Sequence, residues 1–584
     1  MNTQTPTARG NTLIPGEFNT LTQGLDYAAS CATGLNFYTA RGKLRAVLSY
    51  ADLRRKAMET AGRLVGLAEK NARIGLIATT SPDFAVLFFA CQYAGLVPAP
   101  LPLPVTLGGR DFYERQLQRM ADTGDFYALF VPASVENIVS SALNDHDTPV
   151  MTFEDVLYEL PIRAELRSFE ADELCYIQYS SGSSSSPRGI IGTQESVTSN
   201  CRAIIQHGLK YNETDRGTCW LPMYHDMGLV GCLLASVMSQ MTADFIDPQD
   251  FTRRPVTWLR LISENKCTMT YSPTFGYELC VLRWRGDVEL DLSSLRIAGI
   301  GGDMVQPEPL QKFADLFGPM GFQETAFTPS YGLAETTLAA TFSPLGQGLR
   351  RHTIDMARYE RSGEAVDASD LTGSSHKRTF VACGMTLPGH EIEVRDSRGH
   401  VLAPCKMGKI FLRGPSVSPG YFRNSQATEA SFSAGGWLDT GDLGYWLGKE
   451  LVVTGRYKDL ILWHGRNIWP QDLEWAAQAA APHRCGRACA FAIGGAGDSK
   501  KIILLLECRT RDPQSLSEIY SAVTAAIRFE GSVPIQLMLV PRGSMIVTSS
   551  GKLSRARVKK EFLAGGIVDM QERKPLRFVT EQSG

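Results

Sequence analysis

The 584-residue sequence lacks the short signatures of several large function classes. Its 13 cysteines are odd in number, scattered, and include no CxxC pair, which argues against a zinc ribbon or a disulfide framework and predicts reduced, mostly buried thiols. There is no G-x-S-x-G elbow and no HExxH, so neither a serine-hydrolase nucleophile nor a zinc-peptidase helix is present. A Walker A loop is missing as well. The formal net charge is only -2 and no block of one sign occurs, so neither nucleic acid nor an anionic membrane is expected as the main partner. The longest apolar stretch, FAVLFFACQYAGLVPAPLPLP from Phe84, is interrupted by Gln92, Gly95 and prolines, and is too short for the roughly 20 residues a bilayer span needs. It reads as a buried helix. MNTQTPTARGNT shows no basic segment leading into an apolar core, so a cytoplasmic protein is expected.

What the chain does have is length for at least two domains and a recurring α/β rhythm. RIGLIA (73–78) reads as a buried strand, Ser81 and Pro82 as a helix start, Gly95 as its end, and LVPAPL as the next extended piece. Such strand-helix-strand units build parallel sheets covered by helices. TMTYSP after VTWLRLISENK, and LRIAGIGG before PEPLQKFADLF, repeat the pattern. From about Lys458 the texture changes to short β-type runs, a helix beginning at Pro470, the strand KIILLLEC and the helix LSEIYSAVTAAIRF, predicting a small α+β domain. The expected division is 1–457 and 458–584.

YSSGSSSSPRG (179–189) lies between two β-prone runs, where a slack linker is out of place. Small residues there let backbone N–H groups converge on an anion while hydroxyls add donors and Arg188 adds charge. Alone, a serine-rich surface turn is the plainer reading. The loop is not alone. It resembles the ATP loop of the adenylate-forming superfamily, SSGSTGxPKG, with Ser184 for Thr, Ser185 for Gly and Arg188 for Lys. YGLAE (331–335), TGD (440–442), GRYKD (455–459) and SSGKLSR (549–555) follow in the family's order.

That resemblance implies a large N-terminal domain of parallel and mixed sheets flanked by helices, a distorted β-barrel subdomain, and a small C-terminal α+β domain on a hinge at Lys458. It implies ATP and Mg²⁺ as cofactors. Ser180, Ser181, Gly182, Ser183, Ser184, Arg188 and Gly189 would cradle phosphate, and Gly302, Asp303, Tyr331, Gly332, Ala334, Asp442 and Arg456 would complete the nucleotide site. Glu335 would hold the metal, and Lys552 would bridge the carboxylate and α-phosphate. His225, in LPMYHDMGLVG, would stand near the carboxylate at the mouth of an apolar pocket lined by Met227, Gly228, Phe275 and Gly276. A carboxylic acid ionised at neutral pH needs no general base to attack the α-phosphorus, which accords with the missing hydrolase motifs. Ala334 replaces a threonine common in relatives, at the cost of one hydroxyl contact.

LPMYHDMGL, GRNIWPQDLE (465–474) and a polar segment at about 349–379 are closer to fatty acyl-AMP ligases than to acyl-CoA ligases. By composition that segment is a surface excursion. In fatty acyl-AMP ligases an insertion at this place packs between the domains and restrains the small one, disfavouring coenzyme A. The expected activity is therefore ATP-dependent formation of a fatty acyl adenylate and its transfer to the phosphopantetheine of an acyl carrier protein. The alternatives are a long-chain acyl-CoA ligase and, from another class, a non-catalytic nucleotide or fatty-acid binding module, motivated by Ser185, Arg188 and Ala334.

Overall fold

The computed structural model describes residues 16–104, 110–162, 165–180, 187–369, 377–463, 466–482, 484–494, 501–527, 535–547 and 553–571. The expected strand-helix-strand unit is present: Arg73–Ile77 and Val97–Leu101 pair in parallel on either side of the helix Pro82–Ala94. Ser81 caps that helix by accepting from the Phe84 amide, Pro82 occupies its first turn, and Gly95 ends it at φ 70°. Every side chain from Phe84 to Ala94 is buried, so the helix is apolar all round because protein surrounds it. Gln92, which interrupts the apolar run, donates to the Cys175 carbonyl (2.8 Å) and accepts from Gln194 (2.7 Å). Among the described residues no helix is long and apolar enough to cross a membrane.

Phe126–Val131 and Val150–Thr152 extend this unit into a four-stranded parallel sheet. A second sheet of nine strands carries the parallel run Gly34–Tyr38, Thr242–Ile246, Arg216–Cys219, Met269–Ser272, Ile297–Ile300 and Phe327–Tyr331, with antiparallel strands at both edges. The serine-rich loop joins two antiparallel strands, Leu174–Ser180 and Arg188–Thr193. Where the distorted barrel is expected stands an antiparallel sheet built from Glu391–Arg395, Gly408–Arg413, Phe432–Ser433, Trp437–Leu447 and Glu450–Arg456, its hydrogen-bonded path open.

Beyond this sheet, Cys485–Ile493, Lys501–Cys508 and Ile535–Pro541 form a three-stranded sheet with its own cores. Along the central strand Ile502, Leu504 and Leu506 face one apolar cluster and Ile503 and Leu505 the other. A strand covered on both faces reads as a continuous apolar run, which is why KIILLLEC shows no alternation. All cysteines except Cys232 and Cys405 are buried, and all are free.

The 349–379 segment is less superficial than its composition suggests. Arg351–Asp355 pairs antiparallel with Lys377–Val381, and the helix Met356–Ser362 lies between them in sequence. Ile354 and Tyr359 are fully buried, and the Tyr359 ring stacks on Trp469 at 5.0 Å. Arg378 pairs with Asp472 at 2.5 Å and lies over the Phe380 and Trp475 rings.

Candidate active site

Three segments remote in sequence are joined first by backbone. Phe422 N donates to Gly189 O (2.7 Å), Ile191 N to Gly420 O (3.1 Å), and Ser418 N to Glu335 O (2.8 Å). Gly189 is packed so closely that a Cβ there would lie 2.8 Å from Ile177. On this frame the Tyr421 hydroxyl donates to Glu335 Oε1 (2.9 Å), while the Arg188 guanidinium sits over the Tyr421 ring, 5.1 Å from its centroid. Burial, reinforced by the Glu335 charge, pushes the Tyr421 phenol up to about 12. Burial likewise raises the Glu335 carboxyl above its ordinary range, against the pull of its own backbone amide, the Tyr421 hydroxyl and the Arg456 charge. Ala334 packs beside Ile190 and Tyr421. Thr337, two residues beyond Glu335, is held at φ 68°, a strained conformation for a β-branched residue, with its hydroxyl donating to Ser416 O (2.9 Å).

A second group adjoins the first. Asp442 and Arg456 are directly opposed across the antiparallel pair Trp437–Leu447 and Glu450–Arg456, with Nε 3.3 Å from Oδ1. The Tyr331 hydroxyl donates to Asp442 Oδ2 (2.8 Å), and burial, then the Asp442 charge, raises that phenol well above its usual value. Asp442 is buried while Arg456 keeps 52% of its side chain exposed. The arginine therefore presents its charge to an open side. It is held cationic chiefly by Asp442 and also by Glu335, which links the two groups electrostatically. The backbone at Gly332 passes so near Leu338 O that a Cβ would fall within 1.8 Å of it.

The third group is the LPMYHDMGLVG turn. Gln178, on the strand entering the serine loop, donates to Tyr224 O (2.6 Å). Asp226 Oδ1 lies 2.6 Å from His225 Nδ1 and accepts from Met227 N (2.8 Å), capping Met227–Leu234. That segment winds as a π-helix, a form frequent at functional sites. The Asp226 charge adds to the upward push on Glu335. A Cβ on Gly228 would meet Pro222 O at 2.1 Å, and one on Gly302, at φ 78°, would meet Met227 Sδ at 2.7 Å. At Gly276 the room left by the missing side chain is filled by Ser272 Oγ and Trp220, leaving Phe275 partly exposed at the Trp220 ring edge.

The structure thus gathers Arg188, Tyr331, Glu335, Asp442 and Arg456, with His225 and Met227 alongside. It does not tie in Asp303, which is exposed and accepts from the adjacent Met304 amide, nor Lys458, which is exposed on the turn Tyr457–Asp459. Ser181, Gly182, Ser183, Ser184 and Lys552, and the side chain of Ser180, lie outside the described residues. Tyr421 and Asp226 escaped the sequence reading. Asp226 sat inside a quoted motif, whereas nothing local marks Tyr421, whose partner is 86 positions away.

Among the described residues no three His, Cys, Asp or Glu side chains gather as a metal cage. A single buried carboxylate such as Glu335 has the chemistry to hold Mg²⁺, which takes few protein ligands and keeps waters and substrate oxygens.

The AMP-binding enzyme family matches residues 36–422. A Caulobacter vibrioides protein provisionally named an acyl-CoA synthetase is 44% identical, over 96% of this chain and 98% of its own length. The medium-chain-fatty-acid–[acyl-carrier-protein] ligase JamA of Moorena producens is 30% identical, over 97% of this chain and 98% of its own. A solved structure from work on fatty acyl-adenylate ligases of E. coli and L. pneumophila superposes with a TM-score of 0.90 at 41% identity, covering 94% of this chain and 99% of the other. The chain belongs to the AMP-binding enzymes, the adenylate-forming superfamily, and is an ATP-using ligase.

Proposed function

We propose that this ligase activates a medium- or long-chain fatty acid as its acyl adenylate and passes the acyl group to the phosphopantetheine thiol of an acyl carrier protein. A fatty carboxylate oxygen attacks the α-phosphorus of ATP, the bond to the β-phosphate oxygen breaks, and pyrophosphate leaves. The thiol then attacks the acyl carbon, AMP leaves, and a thioester remains. The observation that carries this reading is the run of contacts from Arg188 through Tyr421 to Glu335, linked by charge to Arg456, which pairs with the Asp442 that Tyr331 holds.

Arg188 and the serine loop would bind the phosphates, Asp442 with Arg456 the ribose, and Tyr331 the adenine. The apolar wall at Met227, Gly228, Phe275 and Gly276 would take the acyl chain, with His225 near its carboxylate. Glu335 would hold Mg²⁺, which when bound draws charge from the phosphate oxygens. Lys552, delivered by a small domain of residues 458–584 turning about Lys458, would neutralise charge growing at the α-phosphorus.

Preference for a carrier protein over coenzyme A rests on the Tyr359–Trp469 and Arg378–Asp472 contacts, which would limit the small domain's swing. The name of the Caulobacter relative favours coenzyme A instead. Parallel assays with a holo carrier protein and with free coenzyme A, both following pyrophosphate release, decide between them. We expect acylated carrier and little acyl-CoA. Rapid acyl-CoA formation with no carrier acylation defeats this reading.

A further inference from the structure

Cys485 and Cys508 face one another across the three-stranded sheet. Its edge strand Cys485–Ile493 runs antiparallel to the central strand Lys501–Cys508, in a register that sets Cys485 directly opposite Cys508. One step outside them Arg509 N donates to Arg484 O (3.1 Å), which makes residues 484 and 509 a hydrogen-bonded pair. Hydrogen-bonded and non-hydrogen-bonded pairs alternate along an antiparallel ladder, so the two cysteines form a non-hydrogen-bonded pair, whose Cα atoms approach to about 4.5 Å. A disulfide accepts Cα separations of roughly 4.4–6.8 Å. Both side chains turn into the same apolar cluster, with Leu516, Ile519 and Leu537, and their sulfurs are in hydrogen-bond contact. Just beyond Cys485 the register shifts before Ala488, interrupting the ladder. Glu507, which precedes Cys508, bridges the interruption: its Oε2 accepts from Arg487 N (3.3 Å), and its Oε1 from Gly543 N (2.9 Å) and Met545 N (3.0 Å).

We propose that Cys485 and Cys508 are a dithiol site that a small-molecule disulfide oxidises, stapling the two strands where their ladder is interrupted. The two thiols are suited to different steps. The hydrogen bond from Cys508 holds the Cys485 thiol below its ordinary range against burial, with the Arg509 and Arg484 charges assisting. The same bond, then burial and the charges of Cys485, Asp569 and Glu507, raises Cys508. Cys485 is also the more exposed of the two, at 9% against 3%. Its thiolate attacks one sulfur of the oxidant, whose S–S bond breaks and releases one thiolate. In the mixed disulfide Cys485 no longer carries charge, so the main upward push on Cys508 is gone. Cys508 then loses its proton to solvent and attacks the Cys485 sulfur, expelling the second thiolate. The protein gives up two electrons and two protons, and the oxidant takes them as two thiols.

The test incubates the full chain, folded, with glutathione disulfide, quenches with acid, and reads mass, peptide map and amide hydrogen exchange. The thiol count of the quenched, unfolded chain should fall by two from 13, with one linked peptide joining Cys485 to Cys508. Cys508→Ser should stop at a single glutathione adduct on Cys485, whereas Cys485→Ser should gain neither adduct nor bond under the same conditions. In the oxidised parent, amide exchange along Cys485–Ile493 and Lys501–Cys508 should slow severalfold, and a dithiol reductant should restore the original rates. An unchanged thiol count overturns the site, as does a bond between another pair such as Cys219 and Cys232. An adduct formed on Cys508 as readily as on Cys485 overturns the assigned order of attack. A Cys485–Cys508 bond that leaves exchange in both strands unaltered overturns the staple.

Discussion

Glu335 has more lone pairs than donors. Its carboxylate receives the Tyr421 hydroxyl and its own backbone amide, while burial works against its charge. Such a group gains most when a cation arrives, which is the reason to place the metal there. Replacing it by glutamine keeps the shape and the Tyr421 contact while removing the charge. Glu335→Gln should therefore lower adenylate formation ~100-fold, the scale of losing one charge-stabilising contact in the transition state, and raise the Mg²⁺ concentration needed for half-maximal rate. Tyr421→Phe should cost less, about tenfold, since a single hydrogen bond to a charged group is worth ~1.5 kcal/mol. Pyrophosphate exchange measured across a Mg²⁺ titration checks both, and a glutamine variant matching the parent at every concentration removes Glu335 from its role. These two residues also mark how far the site was legible. Glu335 could be read because YGLAE is a local string in a fixed order with the other motifs. Tyr421 could not, because its place is set by the bridge of Ile190 to Tyr421 and by a bond to a residue in another motif.

At the scale of elements, the insertion is where composition misled. Its charged residues alternate with the buried ones, as in Arg351–Asp355 where His352 and Ile354 turn inward, so an average over the segment looks polar. The Pro82–Ala94 helix, with a serine cap, a first-turn proline and a terminal glycine, was legible to the residue. The insertion's buried face has no such punctuation, and its meaning depends on Trp469, about 110 positions on from Tyr359 by subtraction. Arg378 is the sharpest probe of this seam, being nearly buried against Asp472. Breaking a buried ion pair by removing one partner costs about 3–5 kcal/mol. Arg378→Ala should therefore loosen the helix Pro470–Ala480 from the insertion, leave adenylate formation within about twofold, and raise the acyl-CoA formed severalfold. Limited proteolysis reports the loosening and chromatography the product. An opened seam with an unchanged product ratio means that these contacts do not restrain the second half-reaction.

For the molecule as a whole, acid sensitivity follows from two buried imidazoles. His352 lies 2.9 Å from the Tyr445 hydroxyl, with Asp367 at 3.8 Å, and burial lowers its pKa against the Asp367 charge, assisted by Arg350. His390 lies 2.6 Å from Ser416 Oγ and 3.1 Å from Pro388 O, and burial lowers it too, against the backbone carbonyls around it. The carbonyl at Nδ1 requires a donor there, so Nε2 of the neutral ring accepts from Ser416, which also receives Asn200 Nδ2 at 3.1 Å. Protonation would turn Nε2 into a donor and deprive the Ser416 hydroxyl hydrogen of its acceptor. Because both folded pKa values lie below the ordinary histidine value of 6.5, the unfolded chain binds more protons in the interval beneath it. Stability from these groups is therefore complete above pH 6.5 and is lost as pH falls towards each folded value. Melting temperature should decline between pH 7.5 and 5.5, and the double variant His352→Gln/His390→Gln should start lower at pH 7.5 yet lose less on acidification. Thermal unfolding at both pH values gives the comparison, and an equal decline in parent and variant would assign the acid loss to other groups. His390 and Ser416 stand beside the segment that carries Ser418 and Tyr421 to Glu335. The same protonation should therefore weaken adenylation before the chain unfolds, and kcat measured through the folded range at falling pH would show that order.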